Sequence, residues 1–175
     1  APDVARVTNS FPAGLGGSRV LHVAWTFKPG AGNWLRLTTA GGPLIPNPTV
    51  DFRQGLQFDV FAEKPVYIAV GLRETSTTAA LGDNGGSAGQ PIEWLGGTAS
   101  NSSAPPKGRL VPAGLWVTLR FFFPYEPIRS FTGNARLEST TGKGVFEHLA
   151  IVPLDTAAGP YQLYLDNFQA IFTAP

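Results

Sequence analysis

Apolar residues in this chain recur at every second position, in short runs separated by glycine, proline, asparagine or aspartate. That period decides what the chain can fold into. Successive side chains of a strand point to opposite faces, whereas one face of a helix needs apolar residues at i, i+3 and i+4, a spacing no stretch here sustains. "RVLHVAWTF" (19–27) puts Leu21, Val23, Trp25 and Phe27 on one face. "NWLRLTT" (33–39) sets Leu35 and Leu37 against Trp34, Arg36 and Thr38. "LQFDVFA" (56–62) opposes Leu56, Phe58 and Val60 to Gln57, Asp59 and Phe61. "VYIAVGLRET" (66–75) opposes Val66, Ile68, Val70 and Leu72 to Tyr67, Ala69, Gly71 and Arg73. "WVTLRFFF" (116–123) buries Val117, Leu119, Phe121 and Phe123, and "VFEHLAIV" (145–152) and "YQLYLDNFQAIF" (161–172) follow. Seven to nine such strands joined by turn residues predict an all-β fold, a β-sandwich jelly roll of two antiparallel sheets.

The 175 residues are enough for one domain with a real core, and no repeat or boundary divides residues 1–175. The segment 79–109 breaks the strand rhythm: it is rich in Gly, Pro, Ser and Asn around one apolar element, "PIEWL". It is too long for a hairpin turn and reads as a long, functional or disordered loop. Charged residues make up 14% of the chain and the net charge is +1, so neither nucleic acid nor an anionic membrane is the expected partner, since both need a concentrated basic patch. The longest aromatic run, "RFFFPY", is too short to cross a bilayer. Without cysteine there is no disulfide, thiolate zinc site or cysteine nucleophile. The start "APDVAR", without methionine, reads as processed or excised from a longer product, and the composition points to a secreted or extracellular bacterial module.

Catalytic signatures are scarce. No P-loop, dinucleotide fingerprint or zincin motif occurs. His22 and His148 lie far apart in predicted strands, where each reads as a hydrogen-bonded strand histidine, although the two could meet in space around a metal. Glycoside hydrolysis needs two carboxylates facing one bond, and no single strand carries two acids on one face.

The polar faces are more informative. Sugars are held by aromatic rings stacked on the C–H face of a pyranose and by planar polar groups bonded to its hydroxyls. The faces opposite the expected core carry Tyr67 with Arg73, Trp116 with Arg120, Trp34 with Arg36, and Gln57 with Asp59. Arg73 and Glu74 close a strand in "LRET", as a ligand clamp or as an ordinary surface ion pair. Candidate carbohydrate contacts are therefore Tyr67, Arg73, Glu74, Trp94, Arg120, Trp34, Trp116 and Gln57, with the ligand sought around Tyr67, Arg73 and Trp94. Trp25 belongs to the core on this reading.

The run from "GGSRVLHVAWTF" through "GLQFDVFAEKPVYIAVGLRET" to "GPYQLYLDNFQAIF" resembles the β-jelly-roll (galactose-binding-like) carbohydrate-binding modules of bacterial polysaccharide-degrading enzymes. The resemblance covers nearly the whole chain. It implies a non-catalytic module that binds a plant-type polysaccharide of the β-glucan or xylan class and is fused to a catalytic domain. It also implies a structural calcium near both termini, held by Asp166 with Asn9 and Ser18. The "F-E" of many relatives is here Phe11-Pro12, which removes one expected carboxylate. Asp166 is thus expected to anchor the chain ends, with Gln162 and Tyr164 on its face and Asn167 on the other. Two other readings stay open: a structural or adhesive sandwich of a cell-surface protein, and a small glycan-active β-sandwich enzyme.

Overall fold

The structure is a computed structural model and describes residues 4–10 (backbone alone), 19–30, 34–38, 48–74, 91–97 and 107–172. Of the segment 79–109, residues 91–97 and 107–109 are described; Ser18 and the side chain of Asn9 lie outside the described residues. Among the described residues twelve strands are present: β1 (Val4–Ser10), β2 (Leu21–Phe27), β3 (Leu35–Thr38), β4 (Thr49–Asp51), β5 (Gln54–Ala62), β6 (Val66–Glu74), β7 (Ile92–Leu95), β8 (Arg109–Val111), β9 (Trp116–Phe122), β10 (Ile128–Ser130), β11 (Lys143–Pro153) and β12 (Tyr161–Phe172). A 3-10 turn, Phe123–Tyr125, follows β9.

The strands form two antiparallel sheets, as the alternation predicts. One has the order β1-β2-β12-β5-β9. The other has the order β10-β7-β6-β11-β3, with β4 added on β11 and β8 on β6. In the five-stranded sheet Val4 of β1 pairs with Phe27 of β2 at one end, and Phe172 of β12 pairs with Gln54 of β5 at the other. The core lies between the sheets. Val23, Trp25 and Phe58 from the first meet Ile68, Leu72 and Ile151 from the second in one continuous cluster. Trp25 is 2% exposed and stacks on Tyr161 at 5.4 Å, so it is a core residue as expected.

The centre of the seven-stranded sheet is buried on both faces. Residues 144–153 are buried without a break, whereas a half-buried strand would alternate. On the outer face the small residues Ala69, Gly71 and Ala150 form a trough, and the Trp94 indole lies in it. A Cβ at Gly71 would come within 2.6 Å of that ring, so glycine is what lets the tryptophan sit flat on the sheet. Trp34 covers Trp94 edge-on and Phe131 covers it at a tilt, with ring centroids 6.2 and 5.3 Å away.

Two bulges redirect side chains. In β11 the register shifts between Phe146 and His148, so Phe146 stays in the core cluster while Glu147 reaches Arg73. In β12 the register shifts between Asp166 and Gln169. Asn167 there has φ +52°, the left-handed conformation that asparagine tolerates better than most residues. The expected simple alternation across Asp166-Asn167 is corrected by this bulge. Both residues face outward, and Phe168 turns in to stack on Phe58 at 4.8 Å.

Candidate functional site

The outer face of the five-stranded sheet carries the chemistry. Because β12 lies between β2 and β5, and β5 between β12 and β9, outward residues from four strands line up in rows across it. The first row is aromatic. Tyr164 stands opposite His22 on one side and Phe61 on the other, and Phe61 stands opposite Trp116. His22 and Tyr164 stack at 4.4 Å with planes 11° apart, Tyr164 meets Phe61 edge-on at 5.8 Å, and Phe61 meets Trp116 at 5.8 Å. All four are half-buried, so each ring keeps some surface open to solvent.

Amide chemistry orients this row. Gln162 Nε2 donates to Glu63 Oε2 at 2.8 Å, which turns the Gln162 carbonyl oxygen toward His22. His22 Nε2, 2.9 Å from that oxygen, must then carry the ring proton.

The second row is acidic. Asp166 and Asp59 are register partners, and Thr118 stands opposite Asp59. Two carboxylates directly across from each other repel, and neutral donors hold them. Asn167 Nδ2 donates to Asp59 Oδ2 at 2.7 Å, the Thr118 hydroxyl donates to Asp59 Oδ1, and the Asn167 N–H donates to Asp166 Oδ1 at 2.8 Å. These residues, with Trp116 and Val117, line a depression of about 220 Å³.

The third row is planar and polar. Arg120 Nε donates to Gln57 Oε1 at 3.1 Å, and Gln57 Nε2 donates to Gln169 Oε1 at 3.2 Å. A fourth row, Ile171, Gly55 and Phe122, ends the surface. The whole is a strip of rings followed by fixed hydrogen-bonding groups, which is what a pyranose presents complements to: an apolar face and a rim of hydroxyls.

Of the residues expected from sequence to contact sugar, the structure brings three together here: Gln57, Trp116 and Arg120. Four others, Tyr67, Arg73, Trp94 and Trp34, belong to the outer face of the opposite sheet, and of these the expectation for Trp94 is corrected. Trp94 is 1% exposed and can offer no ring to a ligand. Trp34 is half-buried against Trp94 and Phe131, and Tyr67 lies between Val152 and Leu110. Arg73 pairs with Glu147 rather than with Glu74, through Nη2 to Oε1 at 2.6 Å and Nε to Oε2. Burial pushes the Glu147 carboxyl up, and the Arg73 hydrogen bonds with the neighbouring His148 outweigh it and hold it down at about 2. His148 Nε2 stands 3.1 Å from Glu147 Oε1 without hydrogen-bond geometry, while its Nδ1 meets the Thr38 hydroxyl at 3.0 Å.

Glu74 is also corrected. It is the next core-facing position after Leu72, is buried, and accepts the Glu138 N–H. Glu93, fully buried on the adjacent strand, accepts the N–H groups of Asn134 and Ala135 at 2.6 and 3.0 Å. Burial pushes both carboxyls up. Their work is to anchor residues 134–138.

The expected metal ligand Asp166 sits in the acidic row, and among the described residues no three His, Asp or Glu side chains converge. His22 and His148 lie on the outer faces of different sheets and cannot share a metal. Sequence reasoning missed His22, Tyr164, Phe61, Asp59, Thr118 and Asn167 as site members. The alternation in "LQFDVFA" already put Asp59 and Phe61 outward, but which strands flank β5 is a property of the topology.

No protein-family model matches this chain, and no curated protein matches it by sequence. Its fold is that of family 11 carbohydrate-binding modules. The solution structure of CtCBM11 superposes with a TM-score of 0.56 at 12% identity, over 100% of this chain and 87% of that one. A family 11 module from Clostridium thermocellum, in complex with a β-1,3-1,4-mixed-linked tetrasaccharide, superposes with a TM-score of 0.52 at 12% identity, over 96% of this chain and 84% of that one.

Proposed function

We propose that this protein is a non-catalytic carbohydrate-binding module whose ligand lies on the outer face of the five-stranded sheet. The observation that carries the reading is the aromatic row His22–Tyr164–Phe61–Trp116 running beside the hydrogen-bonding rows of Asp59 and Gln57. Rings fix the sugar plane, and pre-bonded side chains meet the hydroxyls with little ordering cost. The preferred ligand is a β-glucan or xylan-type chain. The tetrasaccharide carried by a neighbour of the same fold supports the β-glucan choice. On this proposal the module is secreted and holds an attached enzyme at its polysaccharide.

The test is affinity electrophoresis through mixed-linkage β-glucan and xylan. Retention is expected, and Trp116→Ala and Tyr164→Ala each lower it, while Trp34→Ala on the opposite sheet does not. Absence of retention on every glycan, or equal loss in Trp34→Ala, overturns the assignment. The register pair Asp59 and Asp166 favours a second reading, cleavage of a glycosidic bond by two carboxylates. Release of reducing sugar that stops in Asp59→Asn would establish it.

Structural calcium is part of the proposal, supported by the resemblance and by the Asp166 carboxylate. An ion that binds the native state alone raises the unfolding temperature. Added calcium is expected to raise Tm and chelation to lower it. An unchanged Tm removes the ion from the reading.

A further inference from the structure

Charge is unevenly shared between the sugar-binding surface and the rest of the molecule. The chain as a whole carries a net charge of +1. Among the described side chains of the outer face, Asp59, Asp166 and Glu63 are anionic and Arg120 is the cation, three negative charges against one positive. The two aspartates occupy the centre, facing each other across β5 and β12, and Glu63 flanks the aromatic end through Gln162. Arg120 sits at the neighbouring amide row with its Nε directed at Gln57.

This pattern suits one kind of chain. Carboxylate oxygens accept hydrogen bonds and do not donate them, so they favour a ligand that offers hydroxyl donors. A ligand carrying carboxylates of its own brings like charges against Asp59 and Asp166 wherever it lies along the strip. Rows are two residues apart, about 7 Å, and at low ionic strength of about 0.01 M screening extends over about 30 Å, so the whole strip acts as one field. Juxtaposed like charges suppress wrong partners more effectively than they alter affinity for a neutral one.

We infer that Asp59, Asp166 and Glu63 make this surface select uncharged polysaccharide chains and reject uronate-bearing ones. The inference rests on the proposed sugar-binding reading and adds to it which residues set the ligand class. Arg120 opposes them, so removing it sharpens the rejection.

The test compares three forms of one mixed-linkage β-glucan: the parent, a hydroxyethyl derivative and a carboxymethyl derivative of matched substitution. The hydroxyethyl form controls for bulk. At about 0.01 M salt the carboxymethyl chain is expected to bind about tenfold more weakly than the hydroxyethyl chain, and at about 1 M salt the two converge. Glu63→Gln and Asp166→Asn each narrow the low-salt gap, and Arg120→Gln widens it. Equal binding of the two derivatives at low salt overturns the inference while leaving the sugar-binding reading intact. So does a gap that persists at about 1 M salt, which would be steric. Failure of the parent glucan to bind overturns the sugar-binding reading itself.

Discussion

Removing the indole of Trp116 takes away a half-exposed ring at the end of the aromatic row, and the expected result is an about tenfold loss of affinity with little change in stability. Removing the indole of Trp94 is expected to do the reverse. That ring is 1% exposed between Gly71 and the rings of Trp34 and Phe131, so Trp94→Ala should cost ~3–5 kcal/mol in denaturant unfolding. Glycan retention of the folded Trp94→Ala fraction should stay as in the unaltered protein. Titrating residues separate in the same way. The Glu147 carboxyl is depressed to about 2, so the stability it contributes is present above the ordinary carboxylate range and is lost as pH falls through that range toward 2. Glu93 is shifted upward by burial, so its neutral form is the favoured one in the fold, and its penalty grows as pH rises through its folded value. Glu93→Gln, which keeps an acceptor for Asn134 and Ala135, is therefore expected to flatten the alkaline side of the pH–stability curve. Thermal melts of both proteins from pH 3 to pH 8 check this.

At the level of the strand, the period-two pattern is readable wherever one face meets the core and the other meets water. "LQFDVFA" and "WVTLRFFF" are the clearest cases: β5 and β9 place Gln57, Asp59, Phe61, Trp116, Thr118 and Arg120 outward as the alternation requires. The same rule misleads on β6 and β7. There the second face is covered as well, and a tryptophan lying over Gly71 has the same sequence signature as one waiting for a ligand. Nothing local distinguishes them, because the covering rings, Trp34 and Phe131, come from sequence positions far away. Asp166-Asn167 in β12 is legible as an irregularity, but its sense is not. The bulge that turns both side chains outward depends on the Asp59 partner on β5. Asn167→Val, a β-branched residue at φ +52° without the Asp59 bond, is expected to cost ~2 kcal/mol and to weaken glycan binding by loosening Asp59. Asn167→Gly, which accepts the backbone, should cost less stability and still weaken binding.

Over the whole molecule, the two sheets divide the work. The seven-stranded sheet is covered on both faces at its centre and stapled by Arg73–Glu147; the five-stranded sheet keeps one face open. Ring truncations on the open face, away from the bulge at Asn167, are thus expected to change affinity without changing Tm, and those on the covered face to change Tm first. The order β1-β2-β12 has a mechanical consequence. β1 enters the sheet where Val4 meets Phe27, and β12 leaves it at the far end, where Phe172 meets Gln54. Tension applied between those two points runs parallel to the strands. The hydrogen bonds joining β1 and β12 to β2 are then loaded in shear, all at once, rather than unzipped one by one. Such a geometry resists pulling along the strands better than peeling across them.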